Sequence, residues 1–527
     1  MSSEEFDVLV VGYGPVGATI ACLLGQWGVN TLVVDKATGI FMAPRAIALD
    51  NEALRVLQMA GLTEQSFERV AIPCVRMHSP YVGEFGRINT CGATDGHPKL
   101  VTFHQPDLES ALRAQVATHA SVRALTDVEL LDFAEDDHGV VARLRRNDGS
   151  ELSVRARYLV GADGASSVVR RAIGQDFDGQ TYPEDWLIVD ARNVPRPIDH
   201  VEFLCDPKRS TPHMVAPGGR ERWEFMLQPG EEAEEMESLA SISRLLAPWG
   251  KPQEMLIERK AVYRFHARCC VAFSQGRVFL AGDAAHVTPP FAGQGLVAGL
   301  RDAANLGWKL AMASQGSASP SILNSYDVER RPHAKAMIGL AKLMGRLVMP
   351  STALAAVAIH GFMRLARLLP PVRTFFDELG IKPKNRFARG LFVRARGPLI
   401  CGGLLPQGWV RDASGATRLS DSILGRGLTL VGFGLHPSCA LSSAAAADWA
   451  TAGGTVVQVC HRGQRLHIDA ETFEDLDGTL IPRAAPFGWL AAVRPDRVVI
   501  HQGPLAKADR LVRGILALMT TGAPVSR

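Results

Sequence analysis

Residues 12–17 read Gly-Tyr-Gly-Pro-Val-Gly, a G-x-G-x-x-G that directly follows an apolar run at 8–11 and precedes a helical pattern. Dinucleotide binding requires that context. Gly12, Gly14 and Gly17 let the backbone approach a pyrophosphate, and the helix opened by Pro15 and Val16 turns its N-terminus toward the phosphate charge. Asp35 ends the next apolar run, followed by Lys36, and a carboxylate there can accept hydrogen bonds from both adenosine ribose hydroxyls. Residues 6–36 are therefore predicted as β-α-β. The motif alone does not separate NAD from FAD. The 27 residues 8–34 carry no charge and would be long enough to cross a bilayer, but Gly12, Gly14, Pro15, Gly17, Gln26, Gly28 and Asn30 divide them into two short strands and a helix, so no transmembrane segment is expected.

A chain of 527 residues has room for three or four domains at roughly 150 residues each. With 57 basic against 54 acidic residues and no long single-sign block, nothing points to nucleic acid, and a small molecule is the expected partner. Nine cysteines without a C-x-x-C suggest neither a disulfide framework nor a metal site, and the acidic start at Glu4 and Glu5 is unlike a signal peptide; a cytoplasmic location is expected. The uncharged stretch 347–363 contains Pro350 and His360 and is followed by Arg364, Arg367 and Arg373. It reads as a buried or interface helix, with a membrane-surface helix as the alternative.

Helices are predicted at 51–59 and 106–118, and a hairpin at 140–145 and 152–160 turns at Asn147-Asp148-Gly149. Strands of a second sheet are expected at 202–204, 213–216 and 222–227. A strong apolar strand at 277–280 precedes helix from 296 to about 369, which Pro370-Pro371 is expected to end. From about Pro398 a separate α/β unit begins, with strands at 428–431, 455–459 and 497–500 around a helix at 442–451.

Two later segments narrow the chemistry. Residues 158–170 centre on Asp163-Gly164, and 277–286 contain Gly282-Asp283. They resemble the DG and GD signatures of the single-component flavoprotein aromatic hydroxylases, the para-hydroxybenzoate hydroxylase family. The resemblance spans 6–335 and is nearest to the 3-(3-hydroxyphenyl)propionate hydroxylase branch. It implies FAD as cofactor, with Asp283 on the ribityl chain and Asp163-Gly164 beside the pyrophosphate. The segment 289–296, Pro289-Pro290-Phe291-Ala-Gly293-Gln-Gly295-Leu296, resembles the family loop that passes under the flavin ring and starts a helix whose N-terminus would stabilise negative charge on the reduced ring. Val297 stands where the family usually has Asn, so a flavin contact there would be made by backbone alone. Arg45 and Gln105 match family positions that contact the pyrophosphate and ribose region.

The fold so implied is α/β: a Rossmann-type FAD-binding domain in two parts, 1–185 and 263–397, an inserted β-sheet substrate domain at 186–262, and a C-terminal domain at 398–527 resembling a thioredoxin-like appendage. Its Cys401, Cys439 and Cys460 are too far apart for dithiol exchange and are expected to be buried apolar side chains. The implied reaction is hydroxylation of a phenolic compound with NADPH or NADH and O2, through a flavin C4a-hydroperoxide. His266, Tyr263 and His213 are candidate bases for deprotonating the phenol, while Trp223 and Phe225, two apart on one strand face, join Pro289 and Phe291 as candidate pocket wall. Alternatives are an FAD-dependent hydroxylase or epoxidase of a polyketide or antibiotic ring and, in another class, a non-catalytic FAD-binding regulator. A homo-oligomer is possible.

Overall fold

The computed structural model describes residues 4–43, 45–378, 380–464 and 471–522. Pro44, which precedes the candidate Arg45, lies outside them. Runs of Val and Leu without polar alternation form the first sheet because both of its faces are covered. Strands Val122–Leu125, Thr31–Val34, Glu4–Val11 and Glu151–Gly161 lie parallel in that order. The last also pairs antiparallel with Gly139–Arg146 through its first half and parallel with Val278–Leu280 through its final residues, 159–161. The carboxyl ends of Glu4–Val11, Glu151–Gly161 and Val278–Leu280 therefore share one edge, and the three cofactor motifs begin there. Helices Pro15–Gln26 and Gly295–Ser314 cover the sheet against each other, burying Ile20, Leu24, Leu300 and Leu306 in the main core.

The second sheet has eight strands in the order His286–Val287, Leu256–Cys270, Phe177–Arg192, Arg220–Met226, Thr211–Ala216, Val201–Leu204, Cys74–Ser79 and Gly83–Asn89. The strands expected at 202–204, 213–216 and 222–227 lie at its centre. Residues 74–89, which the sequence left unassigned, supply one edge.

A third sheet holds the C-terminal unit, in the order Thr417–Leu419, Trp409–Arg411, Thr472–Asp475, Thr455–Cys460, Thr429–Phe433, Trp489–Val493 and Val499–Pro504. It is fixed to the rest by buried ion pairs. The Arg55 guanidinium donates twice to Asp421 at 2.7 Å, and Arg494 donates to Glu329 at 2.7 and 3.0 Å.

Pro370 opens the helix Pro370–Asp377, because its missing N–H costs nothing in the first helical turn; the preceding helix Ala353–Ala366 has already ended. That preceding helix covers most of the stretch read as a buried or interface helix, and only Ala356 and His360 are buried on it. Leu354, Phe362 and Leu365 are 83, 72 and 66% exposed. Among the described residues no single helix is long and apolar enough to cross a membrane; the pair Pro320–Val348 and Ala353–Ala366 has the composition but is bent by 113°.

Candidate active site

A single cavity of about 2070 Å³ runs from the edge of the first sheet, under the second, to the C-terminal unit. The glycine-rich turn forms one end. Gly12 has φ +104°, and a Cβ there would lie 2.3 Å from the Ala162 carbonyl oxygen, so the turn and the strand end behind it can approach only through glycine. At Gly17 a Cβ would meet the Gly12 carbonyl at 2.0 Å, whereas one at Gly14 would meet nothing within 4 Å, leaving open space at the N-terminus of Pro15–Gln26. Gly12, Gly14, Pro15 and Val16 line the cavity; Gly17 is buried behind them.

Asp35 and Lys36 line the same end. Each Asp35 oxygen already accepts one backbone N–H, from Tyr13 at 2.7 Å and Ala37 at 2.8 Å, so the carboxylate fixes the turn as well as facing the cavity. Gln105 begins the helix Gln105–Ala117, and its Oε1 accepts from the N–H groups of Arg45 and Ala46, holding that segment on the wall with the amide NH2 uncommitted to it. Both Arg45 and Gln105 line the cavity.

The two aspartate motifs differ. Asp163 Oδ2 accepts from the Val168 and Val169 N–H groups at 2.7 and 3.2 Å, at the start of the short helix Val168–Ala172, while its Oδ1 is buried with no hydrogen-bond partner among the described residues. Asp163 and Gly164 both line the cavity. Asp283 also lines it, and burial raises its pKa, opposed by the charges of Arg45 and His286. Gly282 is buried behind it, its N–H held by Asp302 at 3.1 Å; Asp302 also binds His286 at 2.6 Å and Arg330 at 2.8 Å. Burial would raise the Asp302 pKa, but His286 and the Arg330 guanidinium outweigh it and lower it.

Pro290, Phe291, Gly293, Gly295 and Leu296 bring the next motif onto the wall. Gln294 ends the loop and Gly295–Ser314 follows, so its first amides face the cavity without intrahelical acceptors. Phe291 packs edge-on against Tyr182, Trp186 and Phe265. Pro289, expected on the pocket wall, is buried off the cavity. The Val297 side chain is fully buried in the main core, because the first turn of this helix directs it into the protein, which leaves only the backbone at 297 for a flavin contact. Beside the loop, Asp50 accepts from Arg301 at 2.9 Å and Lys382 at 2.6 Å, and these cations outweigh burial to lower its pKa. Nothing in the sequence around Asp50 or Lys382 singled them out.

The other end of the cavity lies under the second sheet, walled by Val75, Met77, Ile188, Val201, Phe203, Pro212, Met214 and Val262. Strand parity decides which candidates reach it. Pro212 and Met214 face the cavity, so His213 faces away, buried between Glu202 at 2.9 Å and Glu221 at 2.5 Å and stacked on Trp223. Burial alone would lower the His213 pKa, but the two carboxylates outweigh it and raise it. Trp223 and Phe225 do share a face, as expected, but it is the outer one, where they form a separate core with Leu246 and Met236. Glu224, between them in sequence, is the residue that lines the cavity. Tyr263 and His266 line it too. Tyr263 lies between the guanidinium groups of Arg45 and Arg259, 5.9 and 5.3 Å from its ring. His266 Nδ1 is 3.0 Å from Thr181 Oγ1, which accepts from Arg268; burial, then the charges of Arg268 and Arg264, lower the His266 pKa.

These groups fit a flavin dinucleotide: open space over Gly14, an orphaned Asp163 oxygen, Asp283 facing the cavity, and a helix N-terminus where the ring would end. The described residues contain no cluster suited to a metal ion. Residues 5–341 match the family described as "FAD binding domain", and 402–518 match the "HcaD C-terminal domain". The chain is 36% identical over 510 residues to a 3-(3-hydroxy-phenyl)propionate/3-hydroxycinnamic acid hydroxylase of Burkholderia cenocepacia, covering 94% of this chain and 93% of the relative. It is 33% identical over 534 residues to the protein of that name from Escherichia coli, covering 99 and 96%. Among solved structures, the flavin-dependent monooxygenase PieE superposes with a TM-score of 0.81 at 22% identity, and aklavinone-11 hydroxylase with 0.77 at 24%, each covering 98% of this chain and all of the other.

Proposed function

Since the chain belongs to the FAD-dependent aromatic hydroxylases of the 3-(3-hydroxyphenyl)propionate hydroxylase type, we propose that its substrate is a phenolic acid of that class, hydroxylated in the compartment beneath the second sheet. The observation that carries this reading is the continuity of one cavity between the dinucleotide cradle and that compartment. Bound FAD supplies electron uptake from NAD(P)H and the activation of dioxygen.

The chain's own groups divide the remaining work. Gly14 and the N-terminus of Pro15–Gln26 receive the pyrophosphate, Asp35 the adenosine ribose, and Asp283 the ribityl hydroxyls, with Arg45, Gln105 and Asp163 along the bridge. Amides at the start of Gly295–Ser314 stabilise negative charge on the ring. Met77, Phe203, Met214 and Phe291 exclude water and hold the aromatic substrate flat. Tyr263 and His266 contribute hydrogen bonds from the strand Leu256–Cys270.

The division 1–185, 186–262, 263–397 and 398–527 is proposed on the core of its own that 186–262 has around Trp223 and Leu246; the second sheet extends past it, because Phe177–Arg192 and Leu256–Cys270 cross its boundaries and 74–89 adds an edge. The C-terminal unit is assigned as thioredoxin-like. Supporting this, Thr429–Phe433 and Thr455–Cys460 are parallel with the helix Ser443–Thr451 between them, and Trp489–Val493 and Val499–Pro504 continue the sheet antiparallel before the helix Ala508–Thr521.

A panel of mono- and dihydroxylated aromatic acids, scored by stimulation of NAD(P)H oxidation, tests the substrate class. A 3-hydroxyphenyl acid is expected to stimulate most. Stimulation confined to polycyclic rings would replace the proposal by a hydroxylase of polyketide-type substrates.

A further inference from the structure

Glu224 is 5% exposed on the wall of the cavity, beside its cross-strand partner Ile188 and on the same wall as Pro212 and Met214. Its neighbours offer the carboxyl little. Arg222, two residues earlier on the same strand, turns Nε and Nη2 to Asp190 at 2.6 and 2.9 Å and Nη1 to the Arg45 carbonyl at 3.1 Å. Arg259, on the strand Leu256–Cys270, directs Nη1 to Asp190 at 3.4 Å. Among the described residues none donates a hydrogen bond to Glu224 or pairs with it within ion-pair distance. A carboxyl buried in this way costs several kcal/mol unless a donor reaches it, and the open side of Glu224 is the cavity.

We propose that Glu224 binds the substrate by accepting the hydrogen bond of its ring hydroxyl and, during turnover, its proton. This rests on the phenolic-acid reading. The phenolic O–H bond breaks, an O–H bond to a Glu224 carboxylate oxygen forms, and the electron pair left on the phenolate oxygen delocalises into the ring, where it raises electron density ortho and para to the hydroxyl. One negative charge is present before and after, so the transfer needs no counter-ion in a dry compartment. Burial raises the Glu224 pKa, opposed by Arg222 and Arg259 and reinforced by Asp190, which brings it nearer to that of a phenol and makes proton sharing easier. The placement also sets substrate orientation. A carboxylate brought against Glu224 would put two like charges together without water, so the acid group of the substrate lies away from this strand and the hydroxyl lies against it.

The test uses FAD-loaded enzyme, with binding read from the perturbation of flavin absorbance by 3-(3-hydroxyphenyl)propionate and by 3-phenylpropionate, which lacks the hydroxyl. Wild type is expected to prefer the hydroxylated ligand by roughly ten- to a hundredfold. Glu224→Leu should abolish that preference while leaving 3-phenylpropionate affinity unchanged, which also reports an intact site. Glu224→Gln, still an acceptor but no base, should keep much of the affinity and lose roughly a hundredfold in kcat. Undiminished preference in Glu224→Leu, or full kcat in Glu224→Gln, would overturn the role of Glu224. If neither ligand perturbs the wild-type flavin, the phenolic-acid reading falls, and this inference with it.

Discussion

At the residue scale, the acidic side chain proposed for the ribityl chain carries little structural burden of its own. Asp283 faces the cavity with no hydrogen bond from any described residue, whereas Asp35 also holds two backbone N–H groups. Asp283→Ala should therefore weaken FAD binding by roughly ten- to a hundredfold, one charge-assisted hydrogen bond, with little change in the melting temperature of the apoprotein; FAD titration and thermal melts of the stripped protein check both halves. His213 is the opposite case, a structural imidazole. Its pKa in the folded protein lies above the ordinary 6.5, so its stabilising effect is complete below that value and declines as pH rises through the folded value. The difference in Tm between wild type and His213→Gln should accordingly be largest in mildly acidic buffer and shrink from about pH 6.5 upward. A gap that widens with pH would show that the Glu202–His213–Glu221 arrangement does not hold a proton.

At the element scale, the period of each strand and helix was legible, but the direction of its faces was not. Trp223 and Phe225 stand two apart and share a face, yet alternation alone cannot tell which side of the sheet meets the cavity. The larger aromatic pair went to the outer core and left the wall to Glu224. The helix Gly295–Ser314 gives the same lesson. Its start is set by Gly293 and Gly295, but the rotation about its axis depends on packing against Pro15–Gln26, and that rotation places Val297 in the core. Val297→Asn should thus lower stability by about 1–3 kcal/mol through burying an amide, read by urea denaturation of the apoprotein. A neutral result would mean that position 297 faces the cavity after all. For Ala353–Ala366 the uncharged run left burial, an interface and a membrane surface open, and only the packing around His360 shows how narrow the buried stripe is.

At the scale of the whole molecule, the strand, helix and glycine turn that open the first sheet were readable, because they depend on a local motif. The junctions were not, since they join residues hundreds of positions apart. Arg55 and Asp421 are one such pair, both nearly fully buried. Arg55→Ala removes both guanidinium hydrogen bonds to the buried Asp421 carboxylate, leaving it Arg497 at 3.7 Å, and should cost about 3 kcal/mol, checked by denaturant unfolding. The C-terminal unit also closes the cavity, contributing Leu404, Gln407, Trp409 and Arg483 to its wall. Its cysteines are likewise not uniformly buried: Cys460 is buried, Cys401 half-buried and Cys439 exposed, while Cys401 and Cys460 carry pKa values raised by burial. The central claim is that one continuous cavity brings FAD and a phenolic acid together for oxygen transfer. Turnover of 3-(3-hydroxyphenyl)propionate with NAD(P)H under 18O2, with the product read by mass spectrometry, addresses it directly. The account predicts a dihydroxylated product carrying one oxygen atom from dioxygen; flavin-loaded enzyme that forms no hydroxylated product from this or any other phenolic acid would contradict it.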